Sequence, residues 1–170
     1  MNSVYEKNIV EFVTVAVEYC AFLEQVPEKT YEHFTAVTQK LLPLLYLKAS
    51  LVDAPAPQGD EDLPVAVDEA AYERVRGAIA SKMGGDDDFY NGEQGGRVSE
   101  CLADIYQSIK DFVMVYKDGD QGRSAEALGV CMDDFRHYWG ARAIEALGAL
   151  HSVIYGDKTA GNDSSVPTED

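Results

Sequence analysis

The stretch Arg97-Val-Ser-Glu-Cys-Leu-Ala-Asp-Ile-Tyr-Gln-Ser-Ile-Lys-Asp-Phe-Val-Met-Val-Tyr-Lys117 decides the fold. Leu102, Ile105, Ile109, Phe112 and Tyr116 recur at three- and four-residue steps, so they line one side of a helix. The same period runs through the chain on both sides of it. Tyr5, Ile9, Phe12, Ala16, Tyr19 and Leu23 predict a helix over 4–25, with Ser3 and Glu6 as a capping box. A second helix is expected over 28–52, with Tyr31, Phe34, Val37, Leu41, Leu44 and Leu45 facing inward. Its run Leu41–Leu47 is apolar nearly all round, and Pro43 within it removes a backbone donor and should kink the helix. A third helix, capped by Asp68 and stopped by Gly84-Gly85, carries a modest face of Tyr72, Val75 and Ile79.

The last periodic stretch, 124–155, places Leu128, Met132, Phe135, Trp139, Ala143, Ala146, Leu150 and Val153 on one stripe. As a straight helix it would be about 50 Å long. A compact chain of 170 residues spans only about 40 Å. It should therefore bend or break, and Gly129, Gly140 and Gly148 are the candidate places. No segment shows strand alternation. The expected fold is all-α: a single-domain bundle over 1–155 of about five main helices, with a Pro-kinked second helix and a long bent last one. The first, second, fourth and fifth helices should build the core and the third should pack peripherally. Residues 53–67, with three prolines and four acids, read as an extended linker, 84–96 as an acidic Gly-rich loop, and 156–170 as a disordered tail.

The net charge is -16, and residues 53–69, 84–96 and 156–170 account for -13 of it. The acidity thus belongs to connections and tail, where it solvates the chain or docks a basic partner. With 14 basic residues against 30 acidic, neither nucleic acid nor an anionic membrane is an expected partner; another protein is. No apolar run approaches a membrane span, and the start lacks the pattern of a secretory signal. Cys20, Cys101 and Cys131 are odd in number, without metal-site spacing, and each falls in a helical apolar pattern. They read as reduced core thiols of a cytoplasmic protein.

Catalytic and cofactor motifs are missing. The loop Asp86–Glu93 fails the calcium-loop test, because starting at Asp87 puts Phe89 at the third position and Val98 at the twelfth. Asp134-Phe135-Arg136-His137 is the single near match to the carboxylate-x-x-His pair that a two-metal bundle needs twice. There is no G-x-S-x-G, P-loop or G-x-G-x-x-G. No cofactor or metal is expected. The most suggestive polar set lies on the last two helices. Asp104 and Asp111 flank the apolar stripe with Gln107 and Ser108 between them, while Trp139, Arg142 and His151 lie on or beside the facing stripe. An arginine at a core edge wants a carboxylate, and Asp104 or Asp111 could supply it. The set reads either as a salt bridge that fixes helix register or as a polar pocket with Tyr106, Tyr138 or Trp139 as a lid.

Leu102–Phe112 resembles the signature of a family of small bacterial helical proteins catalogued only as a domain of unknown function. So does Phe135-x-x-x-Trp139-Gly140, continued by Ala146-Leu147-x-Ala149-Leu150-His151. Ser108 stands where an acidic residue is usual. The resemblance implies a cytoplasmic all-helical domain and brings no activity, substrate or catalytic residue. Function therefore reads first as a non-enzymatic interaction or adaptor module. The alternative is a small-ligand binder or enzyme using the Asp/Arg/Trp/His pocket.

Overall fold

The fourth long helix of the computed structural model, which describes residues 3–156, is the axis on which all but the second pack. In chain order the elements are α1 (Lys7–Glu24), α2 (Tyr31–Ser50), α3 (Glu69–Met83), β1 (Asp88–Asn91), β2 (Gln94–Arg97), α4 (Val98–Lys117), α5 (Gln121–Asp134) and α6 (Gly140–Tyr155). Helix α4 contacts α1, α3, α5 and α6. Its stripe of Leu102, Ile105, Ile109 and Phe112 is buried. Across from it, Phe12 stacks on both Phe112 and Trp139, so α1, α4 and the α5–α6 junction meet in one aromatic layer. The buried Tyr19 hydroxyl donates to the Leu102 carbonyl at 2.8 Å and ties α1 to the same helix.

Local chemistry sets the helix ends. The Asp68 carboxylate accepts from Ala71 N–H, as the sequence suggests, and Asp120 accepts from Arg123 N–H, starting α5 three residues before Ser124. Thr30 caps α2 through His33 N–H. The capping box at Ser3 does not form. The Ser3 hydroxyl is taken by Tyr5 N–H and residues 4–6 make a turn, so α1 begins at Lys7.

Three further expectations are corrected. The segment read as an irregular acidic loop holds an antiparallel hairpin, with Asp88 opposite Arg97 and Asn91 opposite Gln94. Its two-residue turn starts at Gly92 with φ +67°, the positive-φ position such a turn needs. Asp87, just before the hairpin, is buried and accepts from the Ser99 N–H and hydroxyl at 2.7 and 2.6 Å, capping α4 from outside the helix. Helix α3 is not peripheral: it lies along α4 and puts Val75, Ile79 and Met83 into the common core. In α2 the buried apolar positions are Phe34, Leu42, Leu45 and Ala49, whereas Leu44 is exposed and Val37 and Leu41 are half-buried. Phe34 and Leu45 are buried as expected, but a run that is apolar on every side carries no phase, so Leu42 takes the inward place expected of Leu41, and Leu44 points outward. Pro43 lies inside α2 on its exposed side, and the helix continues beyond it to Ser50.

The break in the last stretch occurs beside Gly140, one of the three candidate glycines. Residues Phe135–Trp139 form a π-helical turn between α5 and α6, closed by Gly140 N–H donating to the Phe135 carbonyl. The connection over 53–67 is not a free linker. It lies as a strap across α4 and α5, with Val67 buried in the core. The Asp111 carboxylate takes the N–H groups of Ala66 and Val67 at 2.8 and 2.9 Å, and Glu126 takes those of Gln58 and Gly59 at 3.0 and 2.6 Å. Gly129 leaves room for it, since a Cβ there would lie 2.9 Å from the Pro55 carbonyl oxygen. The tail expected over 156–170 falls, after Gly156, outside the described residues.

Candidate functional site

The row Asp104, Gln107, Ser108 and Asp111 on α4 does form one face, as its spacing requires, and this face looks toward α3, the strap and the π-helical turn. Its partners are not the expected ones. Asp104 accepts from the Tyr72 hydroxyl at 2.7 Å on one oxygen and from the Tyr138 hydroxyl at 2.8 Å on the other. Burial and then the bond to Asp104 push the Tyr138 phenol up to about 12. Asp104 makes no salt bridge with Arg142. Arg142 instead pairs with Glu145 at 3.2 Å and covers the Tyr138 ring at 5.6 Å, with its buried Nε unpartnered. The register bridge expected from the sequence is therefore absent. Arg142 is one residue from buried Ala143, and one residue along a helix is about 100° around it.

The other proposed members scatter for similar reasons. Trp139 is no lid: it is fully buried, and its indole N–H donates to the Cys131 carbonyl at 3.0 Å. Tyr106 is buried on another side of α4, where desolvation and then the charge of Glu24 push its phenol up to about 12. His151 is exposed and packs on Tyr155. Of the residues the sequence singles out, Asp104 and Asp111 share the polar face and Tyr138 reaches it through its bond to Asp104; Tyr106, Trp139 and His151 lie elsewhere. The three cysteines are buried and unpaired, and burial pushes Cys20 and Cys101 up to about 12 and raises Cys131 as well, which keeps them as thiols.

Beneath the strap this face opens into a cleft of about 390 Å³. Leu63, Phe112, Val115 and Cys131 supply apolar walls, and Asp111, Asp134, Ser108 and Gln107 supply polar ones. Burial is the leading cause that raises both carboxyls. At Asp111 the two strap N–H bonds oppose it; at Asp134 the neighbouring Asp133 adds to it, while Ser108 and His137 oppose it. Asp134 was legible only as half of a failed metal motif, because its role depends on the π-helical turn that follows it. Among the described residues no group of three His, Cys, Asp or Glu side chains is placed to hold a metal ion.

The raised Asp134 value makes a pH prediction. Its folded pKa lies above the unfolded 3.8, so the folded state holds the proton more tightly and the ionised form costs stability at neutral pH. That cost vanishes as pH falls through the folded value toward 3.8. Asp134→Asn should accordingly raise the Tm slightly at pH 7, and the gain over the parent should shrink steadily on acidification. Thermal melts of both proteins across this range check it, and a gain independent of pH would point to a cause other than ionisation.

The two segments that carry the family likeness are thus the α4 face with its buried stripe and the π-helical turn. A family model described as a domain of unknown function, DUF5063, matches residues 3–156. The chain belongs to that family. It is also similar to a solved structure, that of protein BF1032 from Bacteroides fragilis, a structural-genomics target. The two share 41% sequence identity over 92% of this chain and 98% of that one, with a TM-score of 0.88. Among curated proteins nothing matches the chain. The helical fold is therefore that of the DUF5063 family, whose description assigns no function. No helix among the described residues is long and apolar enough to cross a membrane.

Proposed function

We propose that the chain is a non-enzymatic protein-interaction module of the bacterial cytoplasm, and that its docking face is the outer row of α2. The observation that supports this is a line of exposed leucines: Leu44 and Leu47 on the helix and Leu51 at its C-cap, at 42, 52 and 48% exposure, with Leu47 and Leu51 three and seven residues after Leu44. Single apolar side chains in water are ordinary on a protein surface, but a contiguous row of them marks an interaction site. Such a row fits the apolar stripe of a partner helix packed ridge against groove. A chain of net charge -16 associates fastest with a partner whose helix is flanked by Lys and Arg. The cytoplasmic reading rests on three unpaired buried thiols, and the choice of protein over nucleic acid or lipid rests on the acidic balance.

A photo-crosslinking residue placed at Leu47 in cells tests this, with a second placed at exposed Glu93 as control. One protein should be captured from position 47 and not from 93. Leu44→Glu with Leu51→Glu should weaken its binding by at least about tenfold. Capture of a second copy of the chain would make the face self-associating. Equal capture from both positions, or none from 47, would overturn the reading.

A further inference from the structure

We propose that the cleft beneath the strap binds a small organic cation with an apolar body. Its volume of about 390 Å³ lies within the range of small-molecule sites, roughly 300–1,000 Å³. Its chemistry is two-sided. Phe112, Val115, Ala127 and Cys131 offer an apolar wall for a hydrocarbon or aromatic body. Asp111 and Asp134 offer carboxylates in the same cleft, and no Lys, Arg or His among the described residues lines it. Asp111 spends one oxygen on the two strap N–H groups and keeps the other. Asp134 makes no ion pair among the described residues, and burial raises both carboxyls, so the protein leaves part of their charge uncompensated. An ammonium group brought by a ligand would supply that compensation in a partly desolvated place, where such a pairing is stronger than in water. Gln107 and Ser108 stand beside the acids as further hydrogen-bonding groups. This inference is independent of the α2 row, which lies on a different helix.

The test is a titration of the ¹⁵N-labelled full chain at pH 7 and low salt with phenethylammonium, and separately with 3-phenylpropionate, which has the same ring and carries the opposite charge. Phenethylammonium should bind saturably with a Kd of about 1 mM or tighter, shifting amides of 107–115 and 127–138. The anion should leave them unmoved. Asp134→Asn should weaken the amine about fivefold. Asp111→Asn, which keeps an acceptor for the strap, serves as the second variant should the first fold poorly. The proposal fails if the amine does not saturate, if the anion binds as well, if the shifts fall elsewhere, or if folded variants bind like the parent.

Discussion

Trp139→Ala is expected to cost about 3–5 kcal/mol, the largest loss of any single replacement in the chain. The indole is fully buried, lies 4.7 Å from the Phe135 ring and 6.4 Å from that of Phe12, and is the only tryptophan in the sequence. Removing it opens a cavity between α1, α4 and the π-helical turn, where three elements must move together to fill it. For a domain of this size the Tm should fall by roughly 10 °C. Trp139→Phe separates packing from hydrogen bonding. The Cys131 carbonyl loses the indole N–H but keeps Phe135 N–H, so that bond should contribute only about 1 kcal/mol. Chemical denaturation of both variants checks the pair. An alanine cost below about 1.5 kcal/mol would show that Trp139 is not central to the core.

The second large effect is a contrast between two glycines of α6. Gly140→Ala should destabilise by about 2–3 kcal/mol, and Gly148→Ala should stabilise by about 0.5–1 kcal/mol. A Cβ at Gly140 would sit 2.5 Å from the Phe135 carbonyl oxygen and 3.0 Å from its ring. Neither has room to retreat, because the oxygen closes the π-helical turn and the ring packs between Tyr46 and Trp139. A Cβ at Gly148 meets nothing within 4 Å, so alanine there simply restricts the unfolded chain and favours the helix. The same chemical change thus carries opposite signs eight residues apart. Urea unfolding of the two variants decides it, and stabilisation by both would mean that the turn relaxes freely.

Much of the bundle was legible because helical period is a local property. The stripe of α4, the Asp68 cap and the need for a break in the last stretch follow from spacing, capping chemistry and length alone. What escaped depends on neighbours. Leu41–Leu47 shows no preferred side, so which of its leucines join Leu45 in the core, Leu42 and not Leu41 or Leu44, is settled only by α1 and α6 packing against it. The hairpin over 88–97 is too short and polar to show alternation, although its Asn91-Gly92 pair is a turn signal. In the polar set, spacing correctly placed Asp104 and Asp111 on one face. It could not show that Tyr72, from a helix 32 residues earlier, and Tyr138 would occupy Asp104 before any arginine did.

The way the strap is fastened gives it an unusual sequence grammar. Asp111 and Glu126 hold it by backbone N–H groups alone, so the side chains of Gln58, Gly59, Ala66 and Val67 play no part in those bonds. The one residue such clamps reject is proline, which has no N–H to give. Pro57 stands next to the first clamp and Pro64 lies between the two, and no proline falls on any of the four positions. Between the clamps, Leu63 packs on the core and Pro64 and Val65 line the cleft, so the exposed residues 60–62 are where foreign sequence should be accepted, spliced into the molecule like a cassette between two fixed rails.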